Sequence, residues 1–168
     1  METDNEVEVW HAMRATYRRE LEAMHLLEKA NIGCFIPMQY KISICRGRKV
    51  RALVPVIRNL VFVHTTKQTA CDLSNVYGVR LFYMKDLSTH SMLVVPDKQM
   101  EDFMFVMDLN PDGVSLNSEI LTVGHKVKVI KGEFSGIEGE VAIEANKTYV
   151  VIRIKDLLTQ VSKSPNLI

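Results

Sequence analysis

The chain has 168 residues, 47% hydrophobic and 24% charged, with Lys and Arg totalling 21 against 20 for Asp and Glu. That length suits one medium domain or two small ones, and the composition excludes a chain disordered throughout. A formal net charge of +1 excludes a polycationic coat for nucleic acid but leaves room for a local basic patch.

Residues Val7 to Met13 alternate apolar and polar at first, as a half-buried strand does. The period then changes: Leu21, Met24, Leu26 and Leu27 recur at helical spacing over residues 18–30, with Thr16 as the expected N-cap and Gly33 closing the helix end. Cys34 to Ile44 resumes an extended pattern, Arg46-Gly47-Arg48-Lys49 supplies a turn, and Ala52 to His64 returns. Together these read as one long hairpin with a basic tip. Lys67 to Asn75 suits a short helix, and Val79–Tyr83 and Met92–Val95 are strand-like. Pro96 marks a helix start for Asp97–Met107, since proline is tolerated in a first turn. Met100, Phe103, Met104 and Met107 then form one apolar helix face, which is expected in the core.

Asp108-Leu109-Asn110-Pro111-Asp112-Gly113 breaks every period, so residues 108–117 are expected to link a domain at 1–107 to one at 118–168. Beyond the linker short strands dominate, with turns at Gly132, Gly136 and Asn146-Lys147. Such a pattern suggests a small closed barrel, and closure removes exposed sheet edges.

Charge is placed unevenly. From Lys29 to Cys71 the chain holds Lys29, Lys41, Arg46, Arg48, Lys49, Arg51, Arg58 and Lys67 and no acid. Lys41, Arg46, Arg48, Lys49 and Arg51 surround the hairpin tip, where they either protect an edge or contact phosphate. The absence of any balancing acid favours nucleic acid, and with Tyr40 as the nearby aromatic the contact is to backbone rather than to stacked bases.

Signatures for catalysis are missing from the sequence. It has no phosphate-binding loop, dinucleotide glycine signature or nucleophile elbow. Cys34, Cys45 and Cys71 lack metal or disulfide spacing, and His11, His25, His64, His90 and His125 are scattered. Glu138, Glu140 and Glu144 are separated by even steps on a strand and face water, where a general acid gains no desolvation. No enzyme, cofactor or metal is expected. No apolar run approaches the roughly 20 residues of a membrane span, and the acidic start at Glu2, Asp4, Glu6 and Glu8 is unlike a secretory signal; a cytoplasmic monomer is expected.

Gly124-His125-Lys126-Val127-Lys128-Val129-Ile130-Lys131-Gly132-Glu133-Phe134-Ser135-Gly136-Ile137-Glu138-Gly139-Glu140-Val141 resembles a KOW motif. Its spacing of Val127, Val129, Gly132, Phe134, Gly136, Gly139 and Val141 is similar to the version in bacterial NusG transcription factors. Upstream, Trp10, Phe35-Ile36-Pro37, Asn59-Leu60-Val61-Phe62-Val63 and Gly78-Val79 before Leu81-Phe82 resemble the NusG N-terminal domain, so the likeness spans about residues 7–165. It implies an α+β N-terminal domain, a mixed or antiparallel sheet flanked by helices, followed by a five-stranded, SH3-like KOW barrel. Arg58, Asn59 and Leu60 stand where the family carries Pro, Gly and Tyr, a departure similar to that of specialised antiterminators of the UpxY type.

The resemblance implies a transcription elongation or antitermination regulator. Its N-terminal domain would dock the clamp helices of RNA polymerase, with Trp10, Ile57, Leu60 and Phe82 as the apolar surface. The basic hairpin would reach DNA in the elongation complex. The KOW domain would recruit a second partner, a ribosomal protein or a termination factor. The rival readings are a KOW-type RNA- or ribosome-binding protein without polymerase binding, and a small enzyme or ligand-binding α/β domain. The near-neutral barrel segment, seven basic against six acidic residues over 118–168, weighs against the first, and the lack of convergent polar motifs weighs against the second.

Overall fold

The computed structural model describes residues 7–86, 88–109, 114–115, 126–128, 135–144, 147–154 and 157–162. In chain order the elements are β1 (Val9–Ala15), α1 (Glu20–Lys29), β2 (Gly33–Phe35), β3 (Met38–Cys45), β4 (Arg48–Pro55), β5 (Leu60–Thr65), α2 (Lys67–Asp72), β6 (Leu81–Tyr83), β7 (Val94–Val95), α3 (Asp97–Leu109), β8 (Val114–Ser115), β9 (Lys126–Lys128), β10 (Glu138–Glu144), β11 (Lys147–Ile154) and β12 (Leu157–Ser162). They divide into two compact units, Met1–Ile36 with Ile57–Asp97, and Pro37–Val56 with Lys98–Ile168.

The first unit is an α+β arrangement around an antiparallel sheet in the order β2-β5-β1-β6, with β7 pairing the N-terminal half of β1. Leu60-Val61-Phe62-Val63 are all buried, as expected for a strand covered on both faces, where an unbroken apolar run replaces alternation. The same holds for β1, expected to be half-buried: His11, Ala12, Met13 and Ala15 are all enclosed, because β1 is a central strand. α1 lies against β2 and β5, and α2 lies against β5.

Three local expectations change. Thr16 does not cap α1, because Tyr17 and Arg18 take left-handed backbone angles, φ 54° and 58°, which a helix cannot continue through. The helix begins at Glu20, and Leu21, expected on its apolar face, is exposed. Its end is closed by Asn31, φ 57°, rather than by Gly33. The Asn31 N–H donates to Glu28 O at 3.0 Å and the Ile32 N–H to Leu27 O at 2.9 Å, the paired bonds of a Schellman motif. Gly33 instead sits in β2 opposite His64, where a Cβ would stand 3.3 Å from the His64 Cβ.

The long hairpin expected from the sequence is two ladders. β2 pairs with β5 from Gly33↔His64 to Phe35↔Phe62, whereas β3 pairs with β4 from Met38↔Pro55 to Cys45↔Arg48. The register shifts by four residues between them, and Val56 to Asn59 forms the bend that takes up the difference. β3 and β4 therefore leave the sheet as a separate two-stranded ribbon. Its turn is Arg46-Gly47, both with positive φ (50° and 77°), as a two-residue type I′ turn requires.

In the second unit, α3 buries Met100, Phe103 and Met107 as its apolar spacing predicts, whereas Met104, expected with them, is half-buried and Val106 is buried in addition. β8 to β12 form one antiparallel sheet in the order β8-β12-β11-β10-β9. Segment 108–117 is not wholly a linker: Asp108 and Leu109 complete α3, and Val114–Ser115 is β8, paired with β12. Of the KOW positions, Gly124, Val129, Gly132 and Phe134 lie outside the described residues, as does the Asn146 turn position. Val127 lies in β9 opposite Gly139 of β10, Val141 follows in β10, and Gly136 turns the chain at φ 96°.

Candidate functional site

Strand pairing decides which of the expected docking residues share a face, because alternate residues of a strand and their direct partners point the same way. Trp10, Ala12 and Arg14 of β1 stand opposite His64, Phe62 and Leu60 of β5, and Arg14 also stands opposite Phe82 of β6. Trp10, Leu60 and Phe82 are thus on one face, while Ile57 lies half-buried in the bend before β5.

Their exposure differs. Leu60 is only 3% exposed, so it is a floor residue beside Phe62 and not a contact surface. This corrects the expectation that it is presented to a partner; Leu60 shares the apolar run of β5, whose residues Leu60 to Val63 are all buried. Phe82 is 53% exposed, because β6 is an edge strand with β1 as its neighbour. Trp10 is half-buried, its ring tilted 47° against that of His64 at 4.9 Å between centroids, and His64 Nδ1 lies 3.7 Å from a Glu8 carboxylate oxygen.

Arg14, not anticipated from the sequence, lies exposed between Leu60 and Phe82. The signal was present in the i, i+2 spacing of Trp10, Ala12 and Arg14, but it becomes legible only with the register. The face therefore offers an apolar floor, an exposed aromatic ring and one guanidinium that no described carboxylate neutralises.

A second unanticipated group holds this region in place. Asn59 has φ 61°, a conformation that asparagine tolerates better than most residues other than glycine. Its carbonyl accepts the Ala15 N–H at 2.9 Å, and its side-chain Oδ1 accepts the Arg18 N–H at 3.0 Å. Its own N–H donates to the carboxylate of Glu20, which is buried. Three bonds thus tie the start of β5 to the β1–α1 loop, and Glu20 is spent on structure.

His11 is also buried, with Nε2 3.2 Å from Thr65 O. Burial is the main cause that pushes its pKa below the ordinary value of 6.5, with His64 and Lys67 adding repulsion. The Cys34 thiol is pushed up, by burial first and by the Glu28 charge second, which keeps it protonated and a poor nucleophile. Among the described residues no group of three His, Cys, Asp or Glu side chains could hold a metal ion, and no helix is long and apolar enough to cross a membrane.

The basic residues of the ribbon are all exposed, but its register distributes them. Lys49 and Arg51 stand opposite Ile44 and Ile42, on the face that carries Tyr40. Lys41 and Arg48 stand opposite Ala52 and Cys45, on the other face, and Arg46 is in the turn. The Arg51 guanidinium lies over the Tyr40 ring at 4.0 Å, a cation–π contact of about 0.5–1 kcal/mol at an exposed site.

Comparison with known proteins bears on this arrangement. The family model described as "Transcription termination factor nusG" matches residues 8–104. No curated protein matches the chain. Among solved structures, NusG of Thermotoga maritima, from work on its domain interaction, is similar with a TM-score of 0.50 and 17% identity over 93% of each chain; at that identity the likeness concerns the fold. The family match takes in more than half of the chain, including β1, the bend at Asn59 and β6, and on that ground the chain belongs to the NusG family of transcription factors, which act with RNA polymerase.

Proposed function

We propose that this protein regulates transcription elongation by docking the first unit's sheet face on the clamp helices of RNA polymerase. The family match over residues 8–104 carries the reading. Phe82, Trp10 and Arg14 supply the contact, Leu60 and Phe62 the floor, and Ile57 the border. An exposed aromatic beside an apolar floor suits the apolar stripe of a helix, and Arg14 suits an acidic side chain on that helix. The chemistry is binding alone. A factor that prefers the closed clamp shifts the polymerase toward it and reduces pausing, in proportion to the difference in affinity between open and closed forms.

The ribbon's basic residues, Lys41, Arg46, Arg48, Lys49 and Arg51, are the proposed contacts to DNA of the elongation complex, with the turn leading. Residues 118–168 are the proposed KOW barrel, recruiting a ribosomal protein or a termination factor. Arg58-Asn59-Leu60 in place of the family's Pro-Gly-Tyr supports a specialised, UpxY-like antiterminator acting in the bacterial cytoplasm. Asn59 is a physically reasonable replacement for glycine: it holds the positive φ and adds an acceptor for the Arg18 N–H.

The test is a pull-down of RNA polymerase by purified protein, with bare structured RNA as competitor. Retention of polymerase that RNA does not displace supports the reading. Tight RNA binding without polymerase would favour an RNA- or ribosome-binding protein instead.

A further inference from the structure

We propose that the apolar face of the β3–β4 ribbon docks an acidic amphipathic helix of a partner protein. The inference stands apart from the polymerase reading, which concerns the first unit, and it narrows the proposed phosphate contacts to Lys41, Arg46 and Arg48.

Met38, Tyr40, Ile42 and Ile44 alternate along β3 and share a face with their partners Pro55, Leu53, Arg51 and Lys49 on β4. Ile42 is 70% and Ile44 75% exposed, and Tyr40 and Leu53 are exposed as well. Tyr40 with its partner Leu53, then Ile42 and Ile44, make one continuous strip about 14 Å long, at roughly 3.4 Å per strand residue. Contiguous exposed apolar surface of this kind marks interaction sites. The opposite face carries Gln39, Lys41, Ser43, Cys45 and Arg48 beside Val50, Ala52 and Val54; Val50 is exposed there too, but on that face polar β3 residues interrupt the apolar surface.

Charge identifies the occupant. Lys49 and Arg51 lie on the apolar side, and no acidic residue occurs between Lys29 and Cys71, so the matching surface is apolar with carboxylates on its flanks. Two copies meeting through this face would oppose Lys49 and Arg51 against themselves, which disfavours a dimer. Nucleic acid is disfavoured by the side-chain types. Bases stack on aromatic rings, the exposed residues here are mainly aliphatic, and the Tyr40 ring is covered by Arg51. A helix with apolar residues at i, i+3, i+4 and i+7 presents a stripe of comparable length, about 10 Å between its end residues before side-chain reach, in about two turns.

The experiment uses the full chain with isoleucine and leucine methyl labels. The probe is a synthetic helical peptide with leucines at i, i+3, i+4 and i+7 and glutamates on both flanks. Binding should shift the Ile42, Ile44 and Leu53 methyl signals. The double variant Ile42→Ser/Ile44→Ser should bind at least about tenfold more weakly, the equivalent of about 1.4 kcal/mol. Its two sites are largely exposed, and an unchanged spectrum elsewhere verifies that it folds. As a second variant, Lys49→Glu/Arg51→Glu should lose the glutamate peptide and gain a lysine-flanked one.

Four results overturn the proposal. One is no methyl shift with the glutamate peptide at millimolar concentration. The second is equal binding of a control peptide with serine in place of leucine. The third is the same methyl shifts elicited more strongly by a forked DNA duplex. The last is self-association through these residues on sedimentation.

Discussion

Replacing Phe82 by serine should separate docking from folding. Phe82 is 53% exposed at an edge strand, so folding buries less than half of it. A fully buried Phe→Ala change costs about 3–5 kcal/mol. With under half the ring enclosed and water able to fill the site, the loss here should be about 1 kcal/mol. Docking would bury the remainder. Full burial of a Phe side chain is worth up to about 3 kcal/mol, so covering the exposed half contributes about 1–1.5 kcal/mol, roughly a tenfold change in affinity.

Leu60→Ser is the internal control. At 3% exposure it removes core volume and buries a hydroxyl, a loss of at least about 2–5 kcal/mol, against a total of about 5–15 kcal/mol for a domain. Thermal unfolding and binding to an immobilised clamp-helix fragment, measured on both variants, distinguish the roles. Phe82 is not a docking residue if the folded Phe82→Ser protein binds the fragment as tightly as the parent, and it is a core residue if Phe82→Ser lowers the melting temperature as far as Leu60→Ser does.

Other outcomes follow from the same geometry. Asn59→Ala should destabilise by about 1–2 kcal/mol, since alanine resists the left-handed conformation and the acceptor for the Arg18 N–H disappears; Asn59→Gly should lose less, and denaturant midpoints report both. His11 should make stability fall on acidification: its folded pKa lies below 6.5, so from about pH 6.5 downward the unfolded chain binds more protons. That loss has a slope of at most about 1.4 kcal/mol per pH unit, and it ends at the lowered folded pKa; His11→Asn should remove this part of the melting-temperature profile. Lys41→Ala/Arg46→Ala/Arg48→Ala should leave stability within about 0.5 kcal/mol per site while flattening the salt dependence of elongation-complex binding by up to about 0.7–0.9 per lost phosphate contact; an unchanged slope assigns these charges to edge protection. Limited proteolysis should cut first at Asn110-Pro111-Asp112-Gly113, a composition typical of nicking sites, and a first cut within 7–86 would count against the proposed division.

The sequence alone determined the elements whose information is local. The continuous apolar run Val61-Phe62-Val63 marked the most buried part of its strand. Met100, Phe103 and Met107 declared the buried face of α3, and Gly47 between arginines marked the ribbon turn. The Trp10 and Asn59–Val63 segments lie within residues 8–104, over which the family is matched. What local pattern could not carry was position relative to distant residues. Leu60 and Phe82 are both apolar strand residues, and one is floor while the other is exposed because β5 is central and β6 lies at an edge. The four-residue shift at Val56 to Asn59 likewise converts an apparent single hairpin into a sheet strand pair and a separate two-stranded ribbon. It depends on Asn59 being held by Glu20, Ala15 and Arg18 from some 40 positions away. Tertiary pairing, and no property of the segments themselves, also sets Lys49 and Arg51 beside the isoleucines and Lys41 and Arg48 on the other side of the ribbon, because a strand's period of two assigns faces only once its register is set.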